Sequence, residues 1–323
     1  MYDVKKTISE ILSAKEITNV SFTGCGGSLA CFYAPYYYIT RESEKLSANY
    51  GNANEFSHDT PKNVNEHSIV VCASRRGDTK QTVEAAKKAK ELGATVIALQ
   101  LEEGTPLEAT ADYTIQFKDT GANGALYEES KSAYALAIAY EIVHQVEGND
   151  QTYENMVNAM KKMNEIVPQA CVDVIPEAVK FSVDYNEDDI IYTMGTGTAW
   201  AAAQQQTICI FMEMQWINSS VIHCDEFFNG PFEITEKNTA YLLLKSTGRT
   251  RAVDERAITF LNKFNAHTTI IDGYDYGMKE LGEVSEYFDH SFYSELLGVY
   301  NHLLADRRQH PLSWRKYMWK FNY

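Results

Sequence analysis

The 323-residue sequence lacks the features that mark membrane, disulfide-linked and nucleic-acid-binding proteins. It contains no apolar run of 18 residues, so no transmembrane helix is predicted. Its six cysteines include no CxxC pair, which indicates scattered reduced thiols rather than disulfides or a metal site. The formal net charge of −15 disfavours binding to nucleic acid or to an anionic membrane, because both are densely negative.

The first residues, MYDVKKTISEIL, follow the pattern of an amphipathic helix and have no apolar core of the signal-peptide kind. We therefore expect a cytoplasmic protein. The content of 45% hydrophobic and 23% charged residues is typical of a globular chain. The length predicts two domains of roughly 150 residues each.

Charge is also missing from one long internal stretch. Between Asp189 and Asp225 the only Asp, Glu, Lys or Arg is Glu213, which lies in the apolar run CIFMEMQWI. Taking a carboxylate out of water is costly, and burial favours its neutral form, so that it can exchange a proton near neutral pH. Glu213 is therefore a candidate general base. The alternative is that it lies on the solvated edge of a helix or caps a neighbouring element.

Short apolar runs alternate with helical patterns along the chain, as in proteins built from βαβ units. In the first half we predict strands at 20–23, 68–73, 95–99 and 113–117, and a helix at 81–92. In the second half we predict strands at 189–194, 239–245 and 268–271, and helices at 153–184, 198–217 and 251–264. The sequence thus predicts an α/β protein with two domains, 1–155 and 156–323, each a parallel sheet flanked by helices.

Two loops in the first half have the composition of anion-binding turns. GCGGS at 24–28 follows the first predicted strand; small residues such as Gly26 let backbone N–H groups approach an anion, and the Ser28 hydroxyl can add a hydrogen bond. SRRGDT at 74–79 follows the next strand, where Asp78 and Gln81 can form a capping box. The alternatives are a turn that needs glycine for its backbone geometry and a solvated charged turn.

The second loop offers the richer set of donors. The hydroxyls of Ser74 and Thr79, free N–H groups and the guanidinium groups of Arg75 and Arg76 can converge on a dianion such as a phosphate. Neither GxxxxGK[ST] nor GxGxxG occurs in the chain. Nucleotide-binding loops of those two kinds are therefore not supported.

Together, GCGGS, SRRGDT, GTGT at 195–198 and the turn HCDEFFNGP at 223–231 resemble the sugar isomerase (SIS) domain family. TRAVDERA at 250–257 and RQHPLSWRKYMWK at 308–320 are similar to its deglycases, which act on 6-phosphorylated fructose–amino acid adducts. The likeness covers almost the whole chain. It implies two flavodoxin-like SIS domains, a phosphorylated sugar–amine substrate and a homodimer with composite active sites. We expect neither a cofactor nor a metal.

By the same resemblance, the sugar phosphate would be held by Ser28, Ser74 and Thr79, with Gly26, Arg75 and Arg76 adjacent, and Glu213 would be the general base. Relatives carry a histidine acid at the position of Asn229, but an amide cannot donate a proton as imidazolium does. Four residues could replace that acid, or could only hydrogen-bond and pack the turn and the tail: His223, Asp225, Glu226 and His310. His310 is also a candidate substrate-binding residue.

The resulting hypothesis is a phosphosugar–amine deglycase that releases hexose 6-phosphate and a free amino acid from a fructosamine-type or glucosamine-type adduct. One alternative is an aldose–ketose isomerase of sugar phosphates. The family's isomerases have a lysine where this chain has Ile210, which argues against the glucosamine-phosphate synthase type. The other alternative is a non-catalytic sugar-phosphate sensor.

Overall fold

Two parallel β-sheets organise the chain, one in each half. The structure, a computed structural model, describes residues 2–120 and 124–321. Its contacts divide the chain into two units between Asn164 and Glu165. This division falls inside the helix Asp150–Asp173 (α8), the same helix in which the sequence predicts a boundary after residue 155.

The first sheet has five parallel strands in the order β2-β1-β3-β4-β5, which is the flavodoxin-like order. The strands are β1 Asn19–Gly24, β2 Ser47–Asn52, β3 Ser68–Ala73, β4 Thr95–Gln100 and β5 Tyr113–Gln116. The helices are α1 Tyr2–Ala14, α2 Gly27–Ala30, α3 Tyr33–Glu42, α4 Ala53–His58, α5 Lys80–Glu91, α6 Pro106–Thr110 and α7 Lys131–Glu147. Every residue of β1, β3 and β4 is buried, as expected for central strands covered on both faces.

The second sheet has four parallel strands in the order β7-β6-β8-β9, which repeats the first four positions of the first sheet. The strands are β6 Ile190–Gly195, β7 Asn218–His223, β8 Ala240–Lys245 and β9 His267–Asp272. The helices are α9 Ile175–Asp184, α10 Gly197–Gln205, α11 Arg251–Lys263 and α12 Asp289–Arg308. A π-helical segment, Gln206–Met214, continues α10, and four 3-10 helices lie at Glu226–Asn229, Pro231–Ile234, Gly273–Tyr276 and Met278–Phe288.

The predicted α/β class is confirmed, with two corrections to the strands and two to the helices. The sequence missed β2 and β7, because both are polar edge strands without an apolar run. The helix predicted at 153–184 is two helices, α8 and α9, which separate next to Pro176. The helix predicted at 198–217 becomes π-helical after Gln205 and ends before β7.

The cysteines at positions 25, 31, 72, 171, 209 and 224 are all free thiols. Burial raises the pKa of Cys72 to about 12, so its thiol stays protonated within the first core. None of the helices in the described part of the chain combines the length and the apolar character that a membrane crossing needs.

Candidate active site

The two predicted phosphate loops lie side by side at the carboxyl end of the first sheet. The turn 24–28 follows β1 and the loop 74–79 follows β3, and these paired strands flank the topological switch point of the sheet. A Cβ atom on Gly24 would lie 3.3 Å from the carbonyl oxygen of Ala73, so the missing side chain permits this close approach. Open α/β sheets bind their ligands at this position.

Within the second of these loops, the hydroxyl oxygens of Ser74 and Thr79 lie 2.9 Å apart and share a hydrogen bond. Ser74 is only 2% exposed, so this part of the loop is fixed against the sheet. Gly77 turns the chain with φ +62°, and a Cβ atom there would lie 2.2 Å from Oγ1 of Thr105. The loop geometry therefore needs glycine at position 77 for two reasons, its backbone conformation and the space beside it.

The charged residues of the loop are arranged differently from the prediction. Arg75 forms an ion pair with Asp119, and Arg76 lies 3.4 Å from Asp78. The predicted capping box of Asp78 and Gln81 is wrong: Thr79 is the N-cap of α5 and no side chain caps the helix. The loop therefore presents hydroxyls and backbone N–H groups, while both guanidinium groups already contact carboxylates.

Sequence reasoning missed one cation, Lys131, beside the turn 24–28. Lys131 begins α7, and its Nζ donates to the carbonyl oxygen of Gly27 at 3.2 Å. A lysine in the first turn of a helix opposes the helix dipole, and this is the signal that could have identified it. Ser28, the predicted phosphate ligand of the same turn, lies in the short helix α2 and is partly exposed.

Glu213 lies in the π-helical segment that extends α10, and its side chain is 23% exposed. π-helical turns are rare in proteins, and many of those that occur lie at functional sites. Its Oε1 lies 2.7 Å from Nη2 of Arg315, in the C-terminal tail. Among the described residues, no group forms a hydrogen bond or an ion pair with the second carboxylate oxygen, Oε2. Glu213 is therefore a partly enclosed carboxylate with one paired and one open oxygen.

The tail that carries Arg315 packs on the residues immediately after Glu213. Nε2 of the fully buried Gln215 donates to the carbonyl oxygen of His310 at 2.7 Å. The His310 ring lies 4.5 Å from the Trp216 ring and 4.9 Å from the Trp314 ring, measured between centroids. Burial, reinforced by the charge of Arg308, lowers the pKa of His310, so its imidazole is neutral near pH 7.

The turn that carries Asn229 is anchored by aromatic side chains. Phe227 is buried among Phe228, Phe232, Tyr241 and Phe260, whereas Glu226 and Asn229 on the same 3-10 helix are exposed. His223 ends β7, and its Nδ1 accepts a hydrogen bond from the backbone N–H of Asp225 at 3.3 Å. The turn thus presents an amide and a carboxylate to solvent from a rigid apolar base.

The predicted site residues therefore form three groups within one chain. The phosphate loops of the first unit are one group, Glu213 with the tail residue His310 is another, and the turn with His223, Glu226 and Asn229 is the third. In the described part of the chain, Glu213 makes no hydrogen bond or ion pair with any residue of the turn. Its observed partner, Arg315, was not singled out by sequence reasoning, because 102 positions separate the two residues (315 − 213).

The second sheet has a loop in the same topological place as SRRGDT, and sequence reasoning missed what surrounds it. This loop, STGRT at 246–250, follows β8. Its backbone N–H groups at Ser246, Thr247 and Arg249 donate to three acidic side chains, those of Asp254 at 2.7 Å, Asp289 at 3.0 Å and Glu286 at 3.0 Å. The anion position of the loop 246–250 is therefore filled by the protein's own carboxyl groups.

Burial governs the ionisation of two of these carboxylates. It raises the pKa of Asp289 to about 8, although Thr247 and Ser246 donate hydrogen bonds that favour the ionised form. It also raises the pKa of Asp254, despite hydrogen bonds from Ser246 and Thr196. Desolvation outweighs hydrogen bonding at both positions because both side chains are fully buried.

Residues 12–138 of the sequence match the SIS domain family. It is 34% identical to fructosamine deglycase FrlB of Bacillus subtilis (strain 168), over 97% of this chain and 94% of that protein. It is 22% identical to fructoselysine 6-phosphate deglycase of Escherichia coli (strain K12), over 82% of this chain and 76% of that protein.

A solved structure shares the fold over nearly the whole chain. The crystal structure of a Salmonella typhimurium LT2 protein, provisionally described as a phosphosugar isomerase, superposes with a TM-score of 0.95 at 41% identity. The match covers 99% of this chain and 98% of that one. The fold and site thus define an α/β protein with two SIS-type sheets, and the chain belongs to the SIS family, in which its full-length relatives include fructosamine deglycases.

Proposed function

We propose that this protein is a phosphosugar–amine deglycase, which cleaves a 6-phosphorylated glycated amino acid to hexose 6-phosphate and free amino acid. Two relatives that match over most of their own length are a fructosamine deglycase and a fructoselysine 6-phosphate deglycase. The observation that carries the proposal is Glu213, a lone carboxylate in an uncharged segment with one open oxygen. A proton-transfer reaction beside a carbonyl requires such a base.

In the proposed reaction, Oε2 of Glu213 removes a proton from C1 of the open-chain ketoamine while the C2 carbonyl oxygen takes up a proton, and an enaminol with a C1–C2 double bond forms. The same carboxyl group returns its proton to C2, so the C1–C2 bond becomes single and the C1–N bond becomes a protonated imine. Water then adds to C1, and the C1–N bond breaks to give the aldehyde of hexose 6-phosphate and the free amine. The steps only move protons and double bonds and consume one water, and Glu213 gives back the proton that it takes, so no external oxidant or reductant is needed.

The phosphate is proposed to bind at the loop 74–79, with the turn 24–28 beside it. Support comes from the shared hydrogen bond of Ser74 and Thr79, and from the backbone N–H groups of Arg76, Asp78 and Thr79, which have no acceptor among the described residues. Lys131 adds a positive charge beside the turn 24–28, while Arg75 and Arg76 pair with Asp119 and Asp78. Such a loop at a switch point is suited to a phosphate dianion.

The resemblance further leads us to propose a cytoplasmic homodimer that shares its active sites, with Asn229 orienting a substrate oxygen where relatives have a histidine. Glu226 and Asn229 are exposed on this turn, which suits residues that contact a substrate held by the other protomer. His223 and Glu226 are the proposed proton donors of that turn. His310 is neutral and packed between two tryptophans, which suits support of the tail better than acid catalysis.

The test is a panel of 6-phosphorylated glycated amino acids, assayed for both hexose 6-phosphate and free amine, with fructose 6-phosphate as the isomerase control. We expect stoichiometric release of both products from at least one adduct. Glu213→Gln should lower turnover by about a thousandfold or more, because the amide cannot accept the proton, while hexose 6-phosphate still binds. Isomerisation of fructose 6-phosphate without amine release would show that the protein is an isomerase and not a deglycase. Binding of the phosphorylated compounds without turnover would indicate a sensor.

A further inference from the structure

We propose that Arg315 is a positioning residue for the base: it holds one oxygen of the Glu213 carboxylate and thereby aims the other at the substrate carbon. This inference rests on the proposed function, in which Glu213 is the proton-transfer group. Arg315 lies in the tail after α12, and the ion pair joins Nη2 of Arg315 to Oε1 of Glu213 at 2.7 Å.

Contacts other than the ion pair also hold the guanidinium group of Arg315 in place. Its Nη1 donates to the carbonyl oxygens of Leu312 and Trp314, both at 2.8 Å. Its Cζ lies 5.2 Å from the centroid of the Trp319 ring, within the range of a cation–π contact. Two backbone acceptors and one aromatic ring therefore determine where Nη2 points.

Burial separates this ion pair from those at the surface. The Arg315 side chain is 8% exposed and that of Glu213 is 23% exposed, whereas Arg76 and Asp78 are 55% and 49% exposed. A surface pair between two long flexible side chains contributes little and holds neither of them in place. In the Glu213 pair the cation is the more enclosed partner, so the solvent-accessible part of the pair is mainly the carboxylate.

The tail reaches Glu213 through contacts that begin in the catalytic segment itself. Gln215 follows Glu213 by two residues and binds the His310 backbone, and Trp216, with φ +55°, contacts the His310 ring. A tryptophan with positive φ is uncommon, and it directs the chain away from the π-helical segment towards β7. The same few residues therefore place both the carboxylate and the tail that contacts it.

This arrangement has a direct consequence for proton transfer. A glutamate has several rotamers, and a general base must lie within hydrogen-bond reach of the proton that it removes. A charge-assisted contact to Oε1 restricts those rotamers and leaves Oε2 as the oxygen that accepts the proton. Loss of the contact leaves the base present but misplaced, and a misplacement of about 1 Å can lower a rate by about 10²-fold.

The test compares Arg315→Met with Lys316→Met, which removes a neighbouring cation of the same tail whose side chain is exposed. On a phosphorylated adduct that the wild type cleaves, we expect Arg315→Met to lower kcat about a hundredfold with little change in KM. Lys316→Met should leave both parameters near the wild-type values. Arg315→Lys, and Arg315→Met supplied with millimolar guanidinium, should recover part of the loss, because each returns a cation to the carboxylate.

The outcomes separate this inference from the function on which it rests. A wild type that releases no amine from any adduct overturns the proposed function and this inference together. An active wild type with equal kcat in Arg315→Met overturns the inference alone. A loss that neither lysine nor guanidinium reverses also overturns it, because the tail would then have only a structural role. Hexose 6-phosphate binding by each variant checks that the protein remains folded.

Discussion

The two sheets of this protein carry the same kind of loop at the same topological place, yet the two loops contact different partners. In the loop 74–79 of the first sheet, Ser74 and Thr79 contact each other, and no described carboxylate accepts a hydrogen bond from either hydroxyl. In the loop 246–250 of the second sheet, three backbone N–H groups already donate to carboxylates of Asp254, Glu286 and Asp289. In the loop 74–79, by contrast, the backbone N–H groups of Arg76, Asp78 and Thr79 have no acceptor among the described residues, so this loop has several donors for an incoming anion.

This difference shows how a repeated fold can divide its tasks. Internal carboxyl groups occupy the place that a phosphate would take in the second sheet, so that loop supports structure. A Cβ atom on Gly248 would lie 2.2 Å from the carboxylate oxygen of Glu286, which shows how closely the side chain fills the loop. The candidate base of the second half lies elsewhere, in the π-helical continuation of α10.

The largest expected effect comes from placing a carboxylate in the loop 74–79, like the acidic side chains that contact the loop 246–250. Thr79→Asp should keep α5 folded, because aspartate is a good N-cap residue. The added negative charge should weaken binding of hexose 6-phosphate by about a hundredfold, or about 3 kcal/mol. Isothermal titration calorimetry measures this change. Thr79→Asn has nearly the same shape without the charge, and equal weakening by both variants would contradict the electrostatic explanation.

Part of this picture could be predicted from the sequence. The buried strands β3 and β4 each contain a continuous apolar run, and Glu213 is conspicuous because its neighbours in sequence carry no charge. The edge strands β2 and β7 were missed because their polar residues carry no periodic signal. Arg315 could not be assigned to Glu213, since only the folded tail brings the two together.

The local predictions failed where tertiary contacts competed with local chemistry. Asp78 and Gln81 have the spacing of a capping box, but the helix begins after Thr79 and Asp78 lies near Arg76. The carboxylates around the second loop come from α11, from the 3-10 helix Met278–Phe288 and from α12. No pattern in the sequence connects those three positions with the loop 246–250.

A smaller effect is expected from substituting Gly77, the glycine at the turn of the loop 74–79. Gly77→Ala should lower the free energy of unfolding by about 1–3 kcal/mol more than Gly104→Ala. Both glycines have positive φ, at +62° and +67°, but only at position 77 would a Cβ atom overlap another group, Oγ1 of Thr105. Urea unfolding of the two variants measures the difference. Equal destabilisation would mean that backbone strain alone sets the cost.

The smallest effect concerns the filled loop of the second sheet and depends on pH. Burial raises the pKa of Asp289 to about 8, so the stabilising contribution of its protonated form is complete below its ordinary pKa of about 4 and is lost as pH rises towards 8. Asp289→Asn cannot ionise. The difference in unfolding free energy, wild type minus variant, should therefore fall by about 1 kcal/mol between pH 7 and pH 8. A constant difference over that range would show that Asp289 is already ionised in the folded protein.

The most direct measurement of the division between the loops is a crystal structure of the wild-type protein with bound fructose 6-phosphate. We predict that the phosphate accepts hydrogen bonds from the hydroxyls of Ser74 and Thr79 and from N–H groups of the loop 74–79, and that the loop 246–250 keeps its three carboxylates and binds no phosphate. A phosphate bound at 246–250, or one that makes no contact with 74–79, would contradict this division.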